Sequence, residues 1–216
     1  MDKIKIGPVE KDILTEVGSI CAGNATTALV QILGRRIELL FPTLKVVNIN
    51  KLPLYLSNHP EEVVIGIHMQ ILGEAKGNAL LVFLKRDAFM IVDLLMGPVQ
   101  EKPGMLTEIG ISALKEMGNI VISAYLSSLS AFTGISAFPS TVTLTSGAAS
   151  SLVNLAFVGI DKQEATETIL VDAVFKDRKR DLSGNFFIIF DARTIKEILK
   201  KTRGMVKQEG TDENTD

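Results

Sequence analysis

The chain repeats itself, and that limits its fold more than any other feature. Displaced by 100 positions, Leu14 falls on Leu114, Glu16 on Glu116, Gly18 on Gly118, Ile20 on Ile120, Leu29 on Leu129 and Gly34 on Gly134. Further on the offset becomes 107: "GNALLVF" (77–83) falls on "GNFFIIF" (184–190), and Gly97 on Gly204. An ordered series of matches, with one apolar pattern between them, marks an internal duplication. The change of offset places a seven-residue insertion in the second copy, between about 135 and 168.

Both copies carry one plan. A long helix comes first, over about 9–33 and 104–132, and Gly34 or Gly134 suits its C-terminal stop. Strand-like runs follow: "RIELLF", "LKVVNI", "EEVVIGIHMQI" and "GNALLVFL", then "TVTLTS", "ETILVDAVF" and "GNFFIIF". A shorter helix closes each copy, near 86–96 and 192–203. Short links such as "LGEAKGN" suit antiparallel hairpins, because parallel pairing needs a crossover. The expected fold is a single α/β (α+β) domain with internal duplication, pseudo-two-fold symmetry and a mostly antiparallel sheet flanked by long helices. It spans 1–206, with copy one at about 9–98 and copy two at about 104–205; the polar residues 207–216 read as a disordered tail.

Composition narrows the partners. Lys and Arg number 23 against 25 Asp and Glu, a formal charge of −2. That balance argues against binding nucleic acid or an anionic membrane. Hydrophobic residues make up 46%, enough for a sizeable core. The longest apolar runs, "ALLVFL" and "FFIIF", are strand-length and fall short of the ~18 residues of a membrane span. The N-terminal "MDKIKIGPVEKD" has no apolar signal core, and the lone Cys21 rules out an intrachain disulfide. A reducing cytoplasm is the expected location.

Helical spacing sorts the long helices. Ile13, Val17, Ile20 and Cys21 form an apolar face, matched by Ala113, Met117, Ile120 and Val121. Off it lie Asp12, Glu16 and Ser19, and in copy two Ser112, Glu116 and Asn119, each trio on one side of its helix. Gly118, a costly residue in a helix interior, reads as clearance for an approaching partner, and Gly18 likewise.

"DILTEVGSICAGNATTAL" and "SALKEMGNIVISAYLSSL" resemble the paired motifs of the CheC/CheX/FliY phosphatases of bacterial and archaeal chemotaxis. The family pattern is Asp or Ser, three residues, Glu, two residues, Asn, and a proline some twenty residues later. Copy two supplies Ser112, Glu116, Asn119 and Pro139. Copy one supplies Asp12, Glu16 and Pro42, with Ser19 in place of the amide. The resemblance covers about 10–204, and two motif copies are similar to CheC.

The resemblance implies a protein phosphatase acting on the aspartyl phosphate of the response regulator CheY. Asn119 would position the attacking water, an amide being too weakly basic to abstract a proton. The task is like that of the water-orienting glutamine of GTPases. Glu116 would dock the regulator's lysine. Glu16 would dock likewise, at a site weakened by Ser19. The chain would need no cofactor of its own, since magnesium is expected on the partner regulator. The alternative is a non-catalytic adaptor that binds CheD or phosphorylated CheY.

Other candidates read as structural. His59, His68 and Cys21 form no ligand cluster with metal-binding spacing. "SGAASS" (146–151) reads as a loop, "KDRKRD" (176–181) as a solvated hairpin turn, and "GNATTAL" (23–29) as small residues where two helices approach closely.

Overall fold

The computed structural model describes residues 7–34, 38–48, 54, 61–97, 105–152, 154–155, 158–159, 167–177 and 182–212. Copy one holds helix α1 (Pro8–Leu33), strands β1 (Glu38–Asn48), β2 (Val63–Gly73) and β3 (Gly77–Leu84), and helix α2 (Lys85–Met96). Copy two holds α3 (Glu108–Thr133), β4 (Ala137–Pro139), β5 (Thr143–Ala148), the single turn α4 (Ala149–Leu152), β6 (Glu167–Asp177), β7 (Leu182–Phe190) and α5 (Ala192–Asp212). The helices obey local rules. Pro8 opens α1, where its missing N–H costs nothing. Thr107 caps α3 by accepting from the Gly110 N–H at 3.1 Å. Gly34 and Gly134 end the two helices at φ 61° and 66°, a left-handed conformation that glycine takes without strain.

All strand pairs are antiparallel, in the order β1-β6-β7-β3-β2, with β4 and β5 both pairing β2. Exchanging the halves leaves this order unchanged. In the central pair Gly77 faces Phe190 and Phe83 faces Gly184, so the exchange maps that pair onto itself. Such an operation turns about an axis perpendicular to the sheet. Helices α1 and α3 bury their apolar sides in one core cluster on the same face, so they run in opposite directions across it.

Both outer strands carry a register shift at matching places. In β1 it falls between Leu40 and Thr43, around Pro42; in copy two it falls between Pro139 of β4 and Thr143 of β5. Proline donates no ladder hydrogen bond, so edge strands and bulges are where it fits. The runs "RIELLF" and "LKVVNI" are therefore one bulged strand rather than two.

Four other expectations need correction. "SGAASS" is not a loop: it completes β5 and enters α4, whose Leu152 is buried. The insertion is divided: Ile71 faces Gly77 whereas Phe175 faces Gly184, so the second hairpin is the longer and holds part of it. Helix α5 continues to Asp212, so the expected tail is helical as far as that residue, where Lys207, Gln208 and Glu209 favour helix and Gly210 does not; residues 213–216 lie outside the described residues. Finally, α1 is long and apolar enough, by length and composition, to cross a membrane. Here its Leu14, Val17, Cys21, Ala25 and Leu29 belong to the core.

The core explains the glycine inside α3. Gly118 is buried, and a Cβ built there would lie 2.5 Å from Ile67 Cγ2 on β2. The residue admits the sheet, not a visiting protein, so the clearance reading is wrong. Its counterpart Gly18 is buried as well. Tyr125, one per cent exposed, meets Phe186 edge to face at 5.2 Å on the same side of the sheet.

The opposite face of β2 carries a polar chain whose His68 and Asn78 are buried. His68 Nε2 lies 2.8 Å from Asn78 Oδ1. Asn78 Nδ2 donates to the Val158 carbonyl at 3.1 Å, and Gln70 Nε2 donates to the same oxygen at 3.4 Å. Burial holds the His68 pKa below its ordinary value, only partly offset by Asn78.

Gly118→Ala should destabilise the fold. Overpacking costs about 1–3 kcal/mol, against a gain of ~1 kcal/mol in helix propensity. The urea midpoint should therefore fall, and it should rise instead in a chain already carrying Ile67→Ala. The imidazole generates a pH prediction. Between its lowered folded pKa and the ordinary value, the unfolded chain binds more protons at His68. Stability from this residue is complete above the ordinary pKa and is lost as pH falls through that window. Unfolding midpoints measured down from neutral pH should decline more steeply in the parent than in His68→Gln.

Candidate functional site

The inward glycine fixes which way α3 faces. Each helical residue turns about 100°. With Gly118 toward the sheet, Glu116 and Ile120 point away from it, Ser112 and Ser123 lie near them, and Asn119 sits to one side. Burial follows this pattern. Glu116 is exposed, Asn119 and Ser123 are half-buried, and Ile120 is 37% exposed. The apolar face placed at Ile13, Val17, Ile20 and Cys21 is rotated from the buried one. The core line is Leu14, Val17, Gly18, Cys21 and Ala25 in α1, and Leu114, Met117, Gly118, Val121 and Ile122 in α3. Ile20 is only half-buried.

Glu116 and Asn119 thus stand one turn apart on a regular helix, with Cβ atoms about 5–6 Å from each other. The Ser123 hydroxyl donates to Asn119 Oδ1 at 3.5 Å. This long contact engages one lone pair of the amide oxygen. The second lone pair and both amide hydrogens have no partner among the described residues. An acceptor and a donor are therefore offered together beside a carboxylate. Ser123 went unnoticed in the sequence, although its position four residues after Asn119 was the available signal. Ser112 turns inward on its own helix, its hydroxyl donating to the Glu108 carbonyl at 2.9 Å.

Copy one differs at the matching positions. Asp12 and Glu16 are exposed on α1. The Ser19 hydroxyl donates to the Thr15 carbonyl at 2.8 Å, so its proton is used within the helix. Gly23, which answers to Ser123, is exposed and supplies no hydroxyl. Pro42 and Pro139 lie in the sheet at the register shifts and join neither helical trio.

Between the trios the helices cross on small side chains. Asn24 Nδ2 donates to Ser128 Oγ at 2.8 Å. A shallow groove of about 410 Å³, lined in part by Thr27, Ala28, Ala124 and Ala131, follows the crossing. "GNATTAL" thus lies at a close helix approach, as its composition suggested. The Cys21 thiol is fully buried there, and burial pushes its pKa up to about 11. His68 is buried, with its Nε2 against Asn78 Oδ1. No cluster of metal-binding side chains occurs among the described residues. His59 and residues 178–181 of "KDRKRD" lie outside them; Lys176 and Asp177 belong to β6.

No protein-family model matches the chain. CheC of Bacillus subtilis, named a CheY-P phosphatase, is 25% identical over 187 residues, 84% of this chain and 88% of that protein. FliY of the same organism, named a flagellar motor switch phosphatase, is 28% identical over 126 residues, 58% of this chain. The match spans only 32% of that longer protein. The crystal structure of Thermotoga maritima FliY superposes with a TM-score of 0.73 at 23% identity, covering 94% of this chain and 99% of that one. The chain is therefore a homologue of Bacillus subtilis CheC and FliY and shares the fold of Thermotoga maritima FliY.

Proposed function

We propose that the chain hydrolyses the aspartyl phosphate of a CheY-type response regulator in the cytoplasm, using Glu116 and Asn119 of α3. The carrying observation is that this carboxylate and carboxamide lie one turn apart on an outward helix face, in a homologue of a protein named CheY-P phosphatase. An acyl phosphate is already activated, and the regulator brings its own divalent cation. What remains is to hold water in line with the bond to be broken. The free lone pair of Asn119 Oδ1 accepts one water hydrogen, while its NH2 donates to a phosphoryl or carboxylate oxygen. Water attacks phosphorus, the bond to the aspartate oxygen breaks, and carboxylate and inorganic phosphate leave. Holding the reactants in place, rather than taking up a proton, is the contribution of the helix. Glu116 meets a lysine of the regulator. An exposed ion pair contributes little affinity, so its effect is to set orientation and reach.

A second reading is an adaptor that binds phosphorylated CheY or CheD without chemistry; the missing amide at Ser19 favours it for copy one alone. Phosphate release separates the two. With a regulator charged by a small phosphodonor, the parent chain should speed phosphate loss. Asn119→Ala should lower that rate by about 100-fold with its circular dichroism unchanged. Parental activity in that variant would refute the assignment. Glu116→Ala should weaken apparent affinity for the regulator more than the rate at saturation.

A further inference from the structure

Independently of that reading, we propose that helix α5 is a docking surface for an acidic α-helix of a partner protein. Its inner side is fixed by Ile195, Ile198, Leu199 and Thr202, all buried. At about 100° per residue, Arg193, Lys196 and Lys200 then fall within about 60° of one another on the outer side. All three are exposed. They run along about 10 Å of helix. Lys76, also exposed, lies beside the first turn: its N–H donates to Thr194 Oγ1 at 2.8 Å, and that hydroxyl donates to its carbonyl at 3.2 Å. Neighbouring cations off the row already face acids of this chain. Arg203 is paired with Glu10 of α1, and the charge of Lys201 acts on Glu74.

The repeat shows that this cationic row is not part of the common plan. Displaced by 107, Ile195, Ile198 and Leu199 fall on Ala88, Ile91 and Val92 of α2, which are buried as well. The inner side is thus kept. Arg193, Lys196 and Lys200 fall instead on Arg86, Phe89 and Asp93, a set without net charge. A helix at this place needs an apolar inner side and a soluble outer one, and α2 meets both needs without the row. Like charges three and four residues apart destabilise a helix. An anionic partner relieves that repulsion.

Three features select a protein helix over other polyanions. No aromatic side chain stands between 193 and 203 on which a nucleotide base could stack. The apolar side of α5 lies in the core, so the helix cannot sink into a lipid interface. Exposed Glu197, beside the row, repels a continuous line of phosphates, whereas a partner helix can set a neutral or basic residue opposite it. Carboxylates one turn apart on such a helix repeat at the spacing of Arg193, Lys196 and Lys200, and the planar fork of Arg193 can hold one of them by two hydrogen bonds.

Fluorescence anisotropy with the full chain tests this. The probes are two labelled helical peptides of one composition. In the first the glutamates form a single stripe, three and four residues apart; in the second they are spread around the helix. The chain should bind the striped peptide about tenfold more tightly, and the binding should weaken as salt rises. Arg193→Glu with Lys196→Glu and Lys200→Glu should abolish it, with circular dichroism unchanged. Equal affinity for the two peptides, binding of neither, or binding that survives the triple substitution would overturn the proposal. So would tighter binding of single-stranded RNA or of phosphatidylglycerol vesicles than of the striped peptide.

Discussion

The contact between Gly118 and Ile67 governs how this molecule presents itself. A helix lying on a sheet can rotate about its axis until its side chains find the closest packing. Only at Gly118 can α3 come down onto the branched Ile67 side chain, since a methyl group there would overlap it. Once that point is inward, the helical repeat leaves no choice about Glu116, Ile120 and Ile109, which must face away. Asn119, at about a right angle to the glycine, sits at the shoulder of the helix, half-covered and within reach of Ser123. The cost in helix propensity is offset by packing, and the outward face follows as a geometric consequence.

The sheet sets the second constraint. Because β3 and β7 pair in a register that maps onto itself, the two halves turn about an axis through the sheet. Two helices on one face related by that axis must oppose each other. Their motifs then lie at opposite ends, and the crossing between them is reserved for small residues: Ala28 and Ala124 at the groove, with Asn24 bound to Ser128. Close approach here holds the two outward faces in a fixed relation. The register shifts at Pro42 and beyond Pro139 fall at matching places in the two outer strands.

Much of this could be read from the residues alone. The repeat offsets, the left-handed glycines and the apolar strand runs led to the right elements. The exposure of Glu16 and Glu116 followed from helical spacing. The direction of Gly118 did not. Glycine has no side chain to contribute to an apolar period, so a glycine in the core line reads as a gap beside the polar stripe. Leaving it out rotates the inferred face from Leu14 toward Ile13 and Ile20. "SGAASS" was misread for a related reason. Its small polar residues have loop composition, yet the strand is held by backbone pairing to β2, from Val63↔Ala148 to Ile65↔Ser146. The proline runs were ambiguous because a bulged strand and two separate strands have the same local sequence.

Ser123 shows why the two halves are not interchangeable. An exposed asparagine is free to turn about its side-chain bonds, and an amide that must offer its oxygen to one group and its nitrogen to another gains from having one end assigned. A hydroxyl one turn further along does this in α3. In α1 that position is Gly23 and the amide itself is replaced by a hydroxyl bonded to its own backbone. Two differences on one helix face thus leave α1 without the amide that the proposed hydrolysis uses and without the hydroxyl beside it. The carboxylate and its apolar neighbours remain.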